Sequence, residues 1–92
     1  MTMMTTLVVQ RPRGQRDEVF HDKGLDNTSG LQWNLAYEFR VYSYTVEGSV
    51  LRVYSHTVDY TTQHGIRWDS ATKGIEVAYF RPNQWDMVRN GR

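Results

Sequence analysis

Bulky apolar residues recur at every second position from Leu31. Leu31, Trp33, Leu35, Tyr37, Phe39 and Val41 share one parity, and Gln32, Asn34, Glu38 and Arg40 share the other. A period of two places alternate side chains on opposite faces of an extended chain, so 31–46 is predicted as a strand with one buried face. Glu47-Gly48 then reads as a two-residue turn into a second strand over 49–62, although glutamate suits that turn poorly and a longer loop stays open. With that turn Val46 faces Ser49, Phe39 meets His56, Tyr37 meets Val58 and Leu35 meets Tyr60. The apolar parity of one strand lands on that of the other, as a consistent register requires.

Towards the turn the pattern crosses sides. Ser43 and Thr45 continue the parity that was apolar, while Tyr42, Tyr44 and Val46 continue the one that was polar, and Leu51 and Val53 of the partner strand agree with them. Two accounts fit. A β-bulge near Ser43–Tyr44, matched near Arg52–Tyr54, would restore one continuous core face. Otherwise the base and the tip of the hairpin bury opposite faces. Two strands of that length would reach about 45 Å, whereas a chain of this size packs to a radius of gyration of about 12 Å. The hairpin must therefore coil or offer its tip to a partner.

Around this hairpin the signals are shorter. Residues 5–10 form an apolar, β-branched run closed by Pro12 and Gly14, read as a short edge strand. Residues 13–30 are polar and punctuated by Gly14, Gly24 and Gly30, which predicts a long loop. Two further strands, over 66–69 and 75–81, are predicted as a second hairpin around the turn Asp69–Gly74. Pro82 ends the last of them, and Asn83 to Gly91 reads as a short helix or one more strand. The predicted fold is a single β-rich domain over 1–92, mainly β or α+β. It has four to six antiparallel strands in a strongly curved sheet or small open barrel, with at most one short C-terminal helix.

Composition narrows the chemistry. With 92 residues the core is small, so self-association would help it. The chain has no cysteine, which leaves no disulfide framework and no thiolate metal site and suits a cytoplasmic setting. No secretory leader is read at the N-terminus, and no run approaches the eighteen or so apolar residues of a membrane span. Eleven cations against ten anions give a net charge of +1. Nine of those cations are arginines, three of them clustered at Arg11, Arg13 and Arg16 and three at Arg81, Arg89 and Arg92. That balance lacks the basic excess that drives most nucleic-acid binding.

Candidate chemistry is sparse. His21, His56 and His64 show no zinc-ligand spacing, the glycines sit singly at turns, and no nucleophile has an evident base, so no catalytic residue, metal or cofactor is expected. The best enzyme reading is ribonuclease-like, with Glu38 as base, Arg40 as phosphate cation and His56 or His64 as acid. The register argues against His56, which falls on the face opposite Glu38 and Arg40 unless a bulge intervenes. A single-strand nucleic-acid module, stacking bases on Tyr42 and Tyr44 beside Arg40, is a second alternative. The reading favoured by the face switch is a small non-catalytic cytoplasmic binding protein, an accessory, adaptor or inhibitor of bacterial or phage type. It is expected to act as a homodimer and to bind a protein partner through a surface made of Tyr42, Tyr44, Leu51, Val53, Arg40 and Arg52.

Overall fold

The computed structural model describes residues 2–91, so Arg92 of the C-terminal arginine set lies outside the described residues. Seven strands among them form two antiparallel sheets: β1 (Thr6–Gln10), β2 (Glu18–His21), β3 (Ala36–Glu47), β4 (Val50–Thr61), β5 (Gly65–Arg67), β6 (Ile75–Phe80) and β7 (Met87–Asn90). The larger sheet is built on the β3–β4 hairpin, with β5 and β6 both paired to β4; the smaller has the order β2-β1-β7. The chain is β-rich and antiparallel, and no closed barrel forms among the described residues.

The long hairpin forms, with two corrections. Its loop is Gly48-Ser49, not Glu47-Gly48, because Glu47 pairs with Val50. Both loop residues have positive φ, 55° and 64°, the requirement of a type I′ turn whose twist matches the strands. Phe39 therefore faces Val58 and Val41 faces His56. The shift from the expected register is two residues, an even number, so every side chain keeps its predicted face. Because Ser49 pays the steric cost of a left-handed conformation, Ser49→Gly is expected to stabilise the chain by about 1 kcal/mol, read from the urea midpoint.

The second correction is at the base. β3 starts at Ala36, not Leu31, because Asn34 turns the chain with φ 65°. Trp33 and Leu35, expected in the core, are 61% and 46% exposed. Tyr37 is half-buried, and its hydroxyl accepts from the Gln32 N–H at 2.7 Å. Each long strand has 12 residues and so spans about 40 Å, close to the 46 Å longest dimension of the molecule.

The crossing of faces is real, since the β3–β4 ladder runs through twelve consecutive pairs without a slip. Bulges elsewhere do not reunite the clusters. One occurs at the anticipated level of β4, but in the neighbouring ladder: Val53 pairs with Ala78 and Tyr54 with Glu76, leaving Val77 of β6 as the extra residue. The Tyr42 face of the tip is covered instead by the small sheet. Met4, Leu7, Val9, Tyr42, Leu51, Val53 and Phe80 form one buried cluster, flanked by Phe20, Ala78, Trp85 and Val88. Met4 and Tyr42 exchange two backbone hydrogen bonds of 2.8 Å, tying the N-terminal segment to the edge of β3. Trp85 closes over the turn, its Nε1–H donating to the Ser49 carbonyl at 2.9 Å.

On the opposite, His56 face, Phe39, Val41, Ser43, His56 and Val58 are buried. Two glycines let chain segments cross it closely. A Cβ on Gly24 would stand 2.7 Å from Phe39 Cε1, and one on Gly74 2.7 Å from His56 Cε1. Thus one ribbon carries two cores, one on each side.

The flanking elements differ from expectation for related reasons. β1 is the central strand of its sheet, not an edge, because Pro12 lies beyond its end and removes none of its donors. The predicted 13–30 loop contains β2 and a 3-10 segment, Lys23–Gly30, capped by Asp22, whose Oδ1 accepts from Gly24 N–H at 2.9 Å. Of the two readings for Asn83 to Gly91 the strand is the one that forms, as β7 over 87–90: Val88 pairs with Val9, which places it over the shared core. β5 and β6 do not form a hairpin with each other. They lie end to end along β4, and the segment between them fills the gap through the Thr57–Thr72 and Asp59–Ser70 hydrogen bonds. Ile75, Val77 and Tyr79, which alternate along the predicted 75–81 strand, are 72%, 49% and 47% exposed, while Ala78 and Phe80 turn inward.

Candidate binding groove

The six residues expected to form a surface are separated by this packing. Leu51 and Val53 are fully buried and Tyr42 is 9% exposed, all beneath the small sheet. Tyr42 packs tilted against Phe20 with ring centres 5.8 Å apart, so it is no open stacking platform. Burial pushes its phenol above the ordinary value of 10.0, opposed by Arg40 and reinforced by Asp22. Tyr44 stays partly exposed near the edge of β3. Arg52 lies on the other face, where it donates to Glu76 at 2.7 Å and sits 4.9 Å from the centre of the Tyr79 ring. Of the six, Arg40 alone is both exposed and set in a concavity.

That concavity is a groove of about 440 Å³ on the Tyr42 face, lined by Phe20, Arg40, Tyr42, Ser55, Thr57, Thr72, Ile75 and Val77. Its floor follows from strand alternation, since Arg40 pairs with Thr57 and Tyr42 with Ser55. Its walls come from β2 on one side and from the start of β6 on the other. A second hollow of about 260 Å³ continues past Arg40 and Thr57 to Asp22, Glu38 and Phe39. Both carboxylate oxygens of Asp22 accept backbone N–H groups, from Gly24 and Arg40, each at 2.9 Å. None of the five ion pairs among the described residues uses Arg40. The groove walls were not legible beforehand: Phe20 stood in an apparent loop, and the bulge that brings Val77 beside Ile75 leaves no local signal.

The histidines are engaged elsewhere. His56 is 6% exposed, and its Nδ1–H donates to the Thr72 carbonyl at 2.8 Å while Nε2 lies 2.7 Å from Ser43 Oγ. His21 Nε2–H donates to Asp26 Oδ1 at 2.8 Å, and its Nδ1 lies 2.7 Å from the buried Thr6 hydroxyl. His64 sits in the turn after β4, its N–H bonded to Thr61 Oγ1 at 3.1 Å. Neither hollow that holds Arg40 is lined by a histidine. Glu38 and Arg40 are thus not joined by the acid that the ribonuclease-like reading needs. No group of three or more His, Cys, Asp or Glu residues among those described is placed to hold a metal. The Ser43–His56 contact had one sequence signal, a serine and a histidine on the parity that also carries Phe39, Val41 and Val58.

No family model, no curated protein and no solved structure matches this chain. No helix among the described residues is long and apolar enough to cross a membrane.

Proposed function

We propose that the chain is a non-catalytic interaction protein of the cytoplasm that works as a homodimer, joined along β6 and not through the hairpin tip. One observation carries this reading: among the described residues β6 pairs only with β4, and the edge left unpaired there is flanked by Ile75, Val77 and Tyr79, all about half exposed or more. Unpaired backbone donors and acceptors beside apolar side chains are a template for another strand. Antiparallel pairing of two copies is self-complementary and would bring their β6 side chains together on both faces, Ile75 and Val77 on the Tyr42 face and Tyr79 on the opposite one. The surface area also fits. The chain exposes 6288 Å², about 700 Å² more than a compact monomer of its mass, close to the share of one partner in a standard interface.

Light scattering on a sizing column from micromolar to millimolar concentration tests this. The wild type is expected to reach the dimer mass. The double substitution Ile75→Lys and Val77→Lys, at exposed positions, is expected to keep the strand circular dichroism and to weaken dimerisation more than about tenfold, since it would bury like charges against each other. A wild type that stays monomeric across the range overturns the dimer.

A further inference from the structure

We infer that the groove around Arg40 is a binding site for a small organic monoanion with a planar apolar body, such as an aromatic carboxylate or sulfonate. The site goes beyond the pairing of β6 and stands without it. A guanidinium presents a rigid fork of donors that matches a two-oxygen anion, and it holds such a group far better than an amide would. None of the five ion pairs among the described residues uses the Arg40 guanidinium, which lines the groove together with the hydroxyl-bearing Tyr42, Ser55 and Thr57. A guanidinium and three hydroxyl-bearing residues therefore share one floor. The walls are apolar: Phe20 on one side, Ile75 and Val77 on the other, with Ile75 72% exposed. At about 440 Å³ the hollow lies within the roughly 300–1,000 Å³ of ordinary ligand sites.

The neighbouring hollow sets the charge of the ligand. Past Arg40 lie the carboxylates of Glu38 and Asp22. A second negative group on the ligand would meet them, so a phosphodiester chain or a nucleoside polyphosphate is disfavoured while a single anionic head is accepted. The body of the ligand extends the other way, along Tyr42 towards Ile75.

Two-dimensional amide NMR tests the site, with naphthalenesulfonate as the probe. Neutral naphthol supplies the body without the anion, and inorganic sulfate the anion without the body. Saturable shifts are expected at Arg40, Tyr42, Ser55, Thr57, Thr72 and Ile75. The sulfonate is expected to bind at least about tenfold more tightly than either control, the size of effect a charge-assisted hydrogen bond gives. Arg40→Gln, at an exposed position, should leave the spectrum folded and the oligomeric state unchanged while reducing sulfonate affinity to that of naphthol. Three results overturn the proposal: no saturable shift at millimolar probe, shifts centred on exposed Trp33 or Trp68 instead, or unchanged affinity in Arg40→Gln.

Discussion

Leu51→Ala is expected to cost about 3 kcal/mol and to lower Tm by roughly 12–24 °C. For a chain whose whole stability is of the order of 5–15 kcal/mol, that is a large fraction. The reason lies in what covers the tip. Leu51 has no exposed surface and shares its cluster with Leu7, Val9 and Phe80, from two other strands. Truncation removes apolar contact on every side and leaves a cavity that two hydrogen-bonded sheets cannot collapse to fill. Val46 is the internal control. It pairs directly with Leu51 and points to the same face, yet it is 47% exposed, and Val46→Ala is expected to cost less than about 1 kcal/mol. Urea unfolding followed by tryptophan fluorescence measures both, with unchanged slope confirming that the denatured state is not the cause. If Leu51→Ala proved as mild as Val46→Ala, the small sheet would not cover the tip. Leu7→Ala gives a second check: residues sharing one cluster should lose stability non-additively when changed together.

This covering is what the sequence concealed. The face switch itself was legible, because it is written in the parity of residues 36–61 and survives an even error in register. What fills the second face was not. β2 and β7 have four residues each, and neither carries a run of alternation long enough to stand out from a loop. Their inward residues, Phe20 and Val88, acquire meaning once β1 lies between them. An uncovered tip then called for a second molecule, whereas the chain supplies its own cover. The stretch from Leu31 to Leu35 misled for the opposite reason. Its alternation is perfect, but Asn34 tolerates a left-handed conformation and takes it, so local backbone geometry overrides the pattern. For the groove, the floor was readable as the shared face of Arg40 and Tyr42. The walls were not, since Phe20 and Ile75 lie 20 residues before and 35 residues after Arg40 and meet it through tertiary packing alone.

His56→Ala is expected to be about as damaging as Leu51→Ala, near 3 kcal/mol, through different physics. A carbonyl can only accept, so the 2.8 Å contact with Thr72 places a proton on Nδ1, and in that tautomer Nε2 accepts the Ser43 hydroxyl at 2.7 Å. Every polar atom of this buried pair is thereby satisfied. Removing the ring orphans two of the partners, the Ser43 hydroxyl and the Thr72 carbonyl, and opens a void beside Gly74. Ser43→Ala orphans only Nε2 and is expected to cost about 1–2 kcal/mol. The double variant should cost less than the sum, by about 1 kcal/mol, because the bond between them can be lost only once. The same serine–imidazole geometry activates nucleophiles in hydrolases, where a carboxylate orients the ring and the serine faces substrate. Here the orienting group is a backbone carbonyl, and Ser43 has no exposed surface. Chemical denaturation and ester hydrolysis assayed together separate the two roles. A structural pair loses stability in the order given and shows no turnover that depends on Ser43. Turnover abolished by Ser43→Ala at unchanged stability would instead mean that the sheet opens to expose it.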